Sequence, residues 1–292
     1  MDRITFLLSL FCLIDDWLIT RRVRQRGPAP ILHDSEVLTI EIAGAFFGLD
    51  TDAAIALHFR RFYADCFPRL CTVDRTTFVR QSANLWKVKE ALWQHLLTQI
   101  DHDPALSLID SCPLPVCRFA RVPHSRRLRE YSAYGKDEAA QQVYYGMRVH
   151  ARLCWPGVIV AFALAPADAG DLPVATDALL PGLGGWVLAD RNYANAWQQT
   201  QWRERGLHLL APPKHRRRER RPWPRALVHT RRRIETVFSQ LVERYQVKRV
   251  RVHDLWHLAS RWLRSVLSHP FAILFCQQTG LPPLQFDKLL TD

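Results

Sequence analysis

The chain has 292 residues, with 40 Lys and Arg against 28 Asp and Glu, a formal net charge of +12 and a pI near 9.8. Apolar residues make up 48% and aromatic residues 11%, which excludes a chain that is disordered or fibrous throughout. The length is sufficient for one large domain or two modest ones with a buried core. The positive excess predicts a polyanionic partner, nucleic acid first, although basic ribosomal and membrane-peripheral proteins share it.

An apolar run from Ile4 to Ile14 near the start of the chain could be taken for the core of a signal peptide. Asp15, Asp16 and Trp17 follow it at once, without a small-residue cleavage site, and only Arg3 supplies positive charge before it. The run is also too short to cross a bilayer. We therefore expect an amphipathic helix of a soluble, cytoplasmic protein.

Residues 1–100 have the apolar spacing of helices and show no strand-like alternation. From residue 105 the pattern changes to short apolar runs separated by turn residues. The predicted elements are a strand over 105–109, a hairpin with strands over 143–154 and 158–164, a short helix opened by Asp171, a strand over 186–189, a helix over about 193–204, a strand over 207–210 and a strongly amphipathic helix around 231–245. A last helix is predicted from Leu255 to Cys276.

Two aspartates each follow a short apolar strand: Asp110 follows the strand over 105–109, and Asp190 follows the strand over 186–189. Side chains at strand ends are firmly held, and the active sites of open α/β sheets lie beside such ends. A single aspartate in this position is more often a loop residue, and Asp190 could equally cap the helix that follows it.

Glu235 is the third acidic candidate, and it lies at the edge of the apolar stripe that contains Ile234. Arg231 is four residues earlier on the same helix face, where it can pair with Glu235 or contact a phosphate. Three hard oxygen donors without histidine or thiolate suit Mg²⁺ or Mn²⁺. Two such ions about 4 Å apart can promote phosphodiester displacement.

These residues lie in stretches that resemble bacterial insertion-sequence transposases of the DDE class, most closely the nine-eighty-two insertion-sequence group. The stretches are LIDSCPLPVCRFAR (108–121), YYGMRVHARL (144–153), FALAPADAGD (162–171), LADRNYAN (188–195) and RRRIETVFSQL (231–241). The resemblance implies an α/β fold with an RNase H-like mixed sheet flanked by helices, preceded by an all-helical N-terminal region. It also implies a catalytic and metal-binding triad of Asp110, Asp190 and Glu235 with two Mg²⁺ (or Mn²⁺) ions.

By the same resemblance, residues 1–100 would bind DNA ends or mediate dimerisation, residues 101–280 would form the catalytic domain, and residues 281–292 a C-terminal tail. The expected partners are double-stranded DNA, as terminal inverted repeats and target, and a second copy of the chain. Many relatives carry the pattern Tyr-x2-Arg-x3-Glu-x6-Lys, which Arg231 and Glu235 fit. Val228 and Val242 stand in its Tyr and Lys places, so the pattern assigns no DNA contact to them.

Two basic stretches, 118–136 and 214–233, border the proposed site in sequence, and the second holds ten Lys or Arg within twenty residues. Such density favours phosphate binding with release of counterions. The candidate DNA-binding residues are Arg126, Arg127, Lys214, Arg216, Arg217, Arg218, Arg231 and Arg232. Tyr193 and Trp197 could stack a displaced base or simply pack their helix on the sheet.

The favoured function is a transposase that cleaves DNA at element ends and transfers the strands to target DNA. Two alternatives remain open at this stage. One is an RNase H-like nuclease that only hydrolyses, and the other is a catalytically decayed, DNA-binding regulator.

Overall fold

The computed structural model describes residues 1–21, 29–138, 140–212 and 223–291. The chain divides into two compact units. The helical unit comprises Met1–Asp101 with Leu241–Asp292, and the sheet unit comprises His102–Gln240. None of the helices within these described stretches is both long and apolar enough to cross a membrane.

The helical unit is built around two buried helices. Its helices are α1 (Arg3–Ile19), α2 (Asp34–Phe46), α3 (Asp52–Phe62), α4 (Pro68–Thr72), α5 (Arg75–Asn84), α6 (Trp86–Leu97) and α10 (Leu255–Gln278). Helix α2 is apolar on nearly all sides, so it occupies the centre, where α1, α3, α5 and α10 pack around it. The side chains of Asp2 and Asp254 cap α1 and α10 by accepting hydrogen bonds from the backbone N–H groups of Thr5 and His257.

Helix α10 confirms the last helix expected from the sequence, and it continues through Pro270. The expected catalytic region, 101–280, includes this helix, whereas in the structure α10 packs against α2, α5 and α6 of the helical unit. The reason is the long buried run from Trp262 to Cys276, which needs other apolar helices as neighbours. The functional roles assigned to 1–100, 101–280 and 281–292 stay predictions.

The sheet unit confirms the mixed α/β fold with a sheet flanked by helices. Its elements are β1 (Asp103–Pro115), β2 (Ala133–Asp137), β3 (Gln142–Trp155), β4 (Val158–Pro166), α7 (Asp171–Val174), β5 (Gly185–Leu188), α8 (Ala196–Glu204), β6 (Leu207–Leu210) and α9 (Arg225–Glu243), whose last residues belong to the helical unit. The sheet has the order β2-β3-β1-β5-β6, and β4 also pairs with β3. Strand β1 is antiparallel to β3 and parallel to β5, and β6 is parallel to β5.

The parallel pairing of β1 with β5 depends on one glycine. The paired residues are Leu106 with Trp186, Ser107 with Val187 and Leu108 with Leu188. Gly185 opens β5 with a φ of +86°, and a Cβ there would lie 2.6 Å from the carbonyl oxygen of Ala105. Only glycine adopts this backbone readily and lets the strands approach so closely.

One face of this pairing is covered by an apolar cluster. It includes Ile109 from β1, Val187 from β5, Tyr193, Trp202 from α8 and Leu179 from the helical turn after α7. Because these residues come from β1, β5, α8 and the turns after α7 and β5, the cluster fixes the loop after β5 against the sheet.

The helical unit also holds a buried ionic network. Lys89 Nζ lies 2.6 Å from Glu41 Oε2, and both side chains are almost fully buried. Arg264 pairs with Glu41 at 3.4 Å and with Asp52, while Lys89 donates a hydrogen bond to Ser260. Each buried charge therefore has an opposite charge beside it, which is the condition for tolerating it in an interior.

Replacing Lys89 by Met should destabilise the chain by about 3–5 kcal/mol, because Glu41 would keep its buried charge and lose its closest partner. Urea denaturation measures this loss. Lys87→Met on the exposed side of the same helix is the matched control and should change stability by less than about 0.5 kcal/mol. Equal stability of the two variants would show that the network contributes nothing.

Candidate active site and basic surface

Asp110 lies within β1, and Asp190 lies two residues beyond the end of the neighbouring strand β5. The parallel register pairs Leu108 with Leu188, so two further residues along each chain bring Asp110 level with Asp190. Neighbouring strands are about 4.8 Å apart. The sequence prediction that both aspartates end a strand was wrong for Asp110, since β1 continues to Pro115.

The strand continues because β1 has a second partner. Residues 106–108 pair with β5 on one side, whereas 107–115 pair with β3 on the other. Pro113 and Pro115 lack an N–H donor, and they are tolerated where the strand has an edge that β5 no longer pairs. Asp110 therefore sits within a rigid strand, next to the point where β5 ends.

Both aspartates are difficult to ionise. Burial raises the pKa of Asp110 to about 7, and the charge of Asp190 adds to the rise. The backbone N–H of Ser111 and the guanidinium of Arg231 act in the opposite direction. Burial also raises the pKa of Asp190, although its carboxylate accepts a 2.7 Å hydrogen bond from the backbone N–H of Asn192. The pair thus has negative charge that its surroundings do not fully compensate.

Arg231 connects Asp110 to Glu235. Its Nη1 lies 3.8 Å from Asp110 Oδ2, and its Nη2 donates a 2.9 Å hydrogen bond to Glu235 Oε1. The Glu235 side chain is half exposed. The structure therefore places the Arg231 guanidinium between Asp110 and Glu235.

The described residues contain no group of three His, Cys, Asp or Glu side chains arranged to hold a metal ion. Asp110 and Asp190 are adjacent by register, but Glu235 is engaged with Arg231 and does not join them in such a group. The role of the triad as metal ligands stays a prediction.

Helix α9 is placed by its apolar side and by one ring contact. Ile234 and Val237 are fully buried, and the Arg233 guanidinium lies 4.9 Å from the centre of the Trp155 ring at the end of β3. Such a contact contributes about 0.5–1 kcal/mol at a partly exposed site. These contacts hold α9 in place, so that Arg231 and Glu235, one helical turn apart, lie on the face of the helix directed towards Asp110.

Asp171 is a fourth carboxylate, which the sequence analysis placed only at the start of a short helix. It accepts a 2.7 Å hydrogen bond from Ser111 Oγ and a 3.2 Å hydrogen bond from Arg148. Its negative charge contributes to the raised pKa of both Asp110 and Asp190. Because Ser111 follows Asp110 in a strand, the two side chains leave opposite faces, so Asp171 anchors β1 from behind the pair.

His150 belongs to this anchor and not to an open cleft. It is fully buried, its Nδ1 lies 3.6 Å from Asp171 Oδ1, and it stands opposite Ser111 in the β1–β3 register. Burial lowers its pKa to about 4, so the ring is neutral at pH 7. The signal that could have identified Asp171 was its place at the end of the stretch FALAPADAGD, but its contacts depend on the pairing of distant strands.

The two aromatic residues predicted to stack a base differ sharply. Tyr193 is fully buried in the apolar cluster, where Ile109 and its neighbours enclose the ring, which favours the alternative that it packs against the sheet. Trp197, at the start of α8, is 68% exposed. It remains available to stack on a base.

The first basic stretch forms a surface with exposed aromatic rings. Arg126 is exposed and Arg127 is half-buried, and Phe119, Tyr131 and Tyr134 are all more than 40% exposed. Cationic side chains interleaved with exposed rings suit a nucleic-acid backbone and its bases. In the second stretch, Arg232 is exposed. The predicted Lys214, Arg216, Arg217 and Arg218 lie outside the described residues.

Comparison with known proteins gives one family and one solved structure. A family model described as a transposase DDE domain matches residues 101–255. The chain also aligns with a solved piggyBac transposase synaptic complex with hairpin DNA, at 9% sequence identity and a TM-score of 0.43, covering 99% of this chain and 83% of that chain. No curated protein matches the chain.

Asp110→Asn should raise the melting temperature at pH 8 by several degrees when divalent cations are absent. A folded-state pKa raised from 3.8 to about 7 means that stability falls as the pH rises from about 4 to about 7, because the folded chain holds its proton more tightly than the unfolded chain. The amide removes this loss, which is at most about 4 kcal/mol.

The gain should disappear at pH 4, where the aspartate is protonated in the folded state. Asp168→Asn, at an exposed position of the same unit, serves as the control and should leave the melting temperature unchanged at both pH values. A lower melting temperature of Asp110→Asn at pH 8 would contradict the electrostatic account.

Proposed function

Given that the chain belongs to the transposase DDE domain family, we propose that it cleaves phosphodiester bonds at the ends of its element and joins the 3′ ends to target DNA. The observation that carries the proposal is the adjacent pair Asp110 and Asp190, with Arg231 and Glu235 at its side. The more specific assignment to the nine-eighty-two insertion-sequence group stays a prediction that rests on the sequence stretches alone.

The aspartate pair fits a divalent metal. Both carboxylates are hard oxygen donors, and both have a raised pKa, which a nearby dication would lower by compensating their charge. We propose Asp110, Asp190 and Glu235 as the ligands of two Mg²⁺ (or Mn²⁺) ions. When bound, such ions activate a water or 3′-hydroxyl nucleophile and stabilise the leaving oxygen.

The remaining residues hold and orient the substrate. In Arg231, Nη1 faces Asp110 and Nη2 faces Glu235. Its planar guanidinium can therefore support Glu235 or contact a phosphate. Trp197 offers an exposed ring for a base at the cut end. Asp171 keeps β1 in place through Ser111, and thereby keeps Asp110 beside Asp190.

The proposed partner is double-stranded DNA, both the terminal inverted repeats and the target. Arg126, Arg127 and Arg232 are the described residues that we assign to phosphate contacts, together with the predicted cations of 214–218. Two DNA ends must be brought together for strand transfer, so a dimer on DNA at the bacterial nucleoid is part of the proposal. The N-terminal helical region would bind the ends or the second copy.

Glu235→Gln should reduce cleavage of an end-containing duplex by at least about a hundredfold while DNA affinity changes less than about threefold, because the substitution removes a proposed metal ligand and no phosphate contact. Glu243→Gln is the matched control on the exposed side of the same helix and should cleave like the parent chain. Cleavage by Glu235→Gln at the parental rate would overturn the triad. A parent chain that binds DNA without cleaving it would favour the regulator.

Strand transfer separates a transposase from a nuclease. With Mg²⁺ or Mn²⁺ present, a labelled duplex with a pre-cut end should become covalently joined to plasmid DNA, and the joined product should be absent when EDTA removes the metal. The reaction needs no added energy source, since one phosphodiester bond replaces another. If the DNA is nicked but no joined product forms, the result would contradict the transposase function and favour a nuclease that only hydrolyses DNA.

A further inference from the structure

A cavity of about 70 Å³ opens beside the buried ionic network of the helical unit. This volume exceeds the roughly 10–15 Å³ that one water molecule requires. The cavity is lined by Glu41, Asp52 and Arg264 of the network, and also by Ser260, Arg251 and Arg261. It lies wholly within the helical unit and shares no residue with the proposed active site.

Arg261 distinguishes this cavity from an ordinary gap in the packing. It lies one turn before Arg264 on α10, and its Nη2 is buried without a hydrogen-bond partner among the described residues. No carboxylate of the described chain lies within the 4.0 Å of an ion pair with it. Arg261 as a whole is only partly buried, but a buried N–H donor without an acceptor is unfavourable, so Nη2 can take a further acceptor.

The nearby carboxylates do not supply this acceptor, because they are paired with other cations. Glu41 and Asp52 are already occupied by Lys89 and Arg264, and Arg251 pairs with Asp50 at 3.3 Å. The pKa of Arg261 falls to about 10, first because of burial and next because of the positive charge of Arg264. The charges of Asp52 and Asp50 act in the opposite direction and do not offset this fall.

The lining groups match a tetrahedral oxyanion. Arg251 is half exposed, so it lies at the open side of the cavity, while Arg264 still has a buried Nε without a hydrogen-bond partner among the described residues. Guanidinium groups bind phosphate through parallel N–H donors, and Ser260 places a hydroxyl on the same lining. An acidic side chain would bring one charge, whereas a phosphate brings enough oxygens to reach several donors.

We propose that this cavity binds one phosphate group, with Arg261 as its principal donor and Arg251 and Arg264 beside it. The phosphate can belong to a DNA backbone or be a free phosphate ion, and both supply the same chemistry. The proposal does not depend on the active site, because the cavity's residues are separate from the acidic triad.

The first test measures thermal unfolding of the full chain in sodium phosphate and in sodium chloride at matched ionic strength. The melting temperature should rise with phosphate concentration, as binding to the folded state requires. Arg261→Gln should lose this rise, and its melting temperature in chloride should not fall, since the unpaired charge is gone. Arg75→Gln removes an exposed charge outside the cavity and should keep the rise.

Arg261→Lys provides a second variant if Arg261→Gln does not fold. It keeps the charge but loses the planar pair of donors, and calorimetric titration with inorganic phosphate should show at least tenfold weaker binding than for the parent chain. An equal rise in melting temperature for the parent chain and Arg261→Gln would overturn the proposal, as would a parent chain that responds alike to phosphate and chloride.

DNA binding then identifies the source of the phosphate. If it is the backbone, Arg261→Gln should weaken duplex binding at least fivefold more than Arg75→Gln and should lower the salt dependence of binding. If the two variants bind DNA alike while phosphate stabilisation is still lost, the site takes free phosphate. Neither readout requires cleavage, so a chain that fails to cut DNA would overturn the proposed function and leave this test intact.

Discussion

The proposed chemistry depends on two like charges that the backbone forces together. Parallel pairing of β1 with β5 brings Asp110 level with Asp190, and partial burial removes some of the water around both carboxylates. The backbones of both residues are held, because Asp110 is inside a strand and Asp190 caps the turn that follows β5. The negative charge of the two aspartates must therefore be compensated by a cation that does not belong to the sheet.

Arg231 is the cation that the chain itself supplies to this site. At 3.8 Å from Asp110 it is outside hydrogen-bond range, whereas its 2.9 Å contact is with Glu235. Its compensation of Asp110 is therefore partial, as the raised pKa shows. The arginine can bridge carboxylates or contact a phosphate, whereas a bound dication would also activate the nucleophile.

Local patterns predicted the elements well, and long-range pairing explains what they missed. The strand Leu207–Leu210 and the helix from Leu255 have the predicted start, because a short apolar run and an Asp cap are local signals. Strand β2, with the sequence AYGKD, has no apolar alternation and forms only because β3 offers an edge. Likewise, whether Tyr193 faced DNA or the core depended on which elements covered it.

The candidate site was predictable in its residues and not in its contacts. Asp110, Asp190 and Glu235 were predicted from strand ends, helix position and family resemblance. The structure brings Asp110 beside Asp190 and leaves Glu235 paired with Arg231. The anchor formed by Asp171, Ser111 and Arg148 depends on the β1–β3 register, which no short stretch of sequence encodes. The cavity beside Arg261 joins α2, α5 and α10, so it too is a product of tertiary packing.

Gly185 is a residue that activity can require although it takes no part in the chemistry. It carries no functional group, yet any side chain there would meet the backbone of β1 and push apart the strands that align the two aspartates. A mutational scan scored on activity would therefore mark Gly185 together with Asp110 and Asp190. At Gly185 the loss of activity would report a change in the distance between β1 and β5. The strand register is needed to distinguish this structural effect from the loss of a proposed metal ligand.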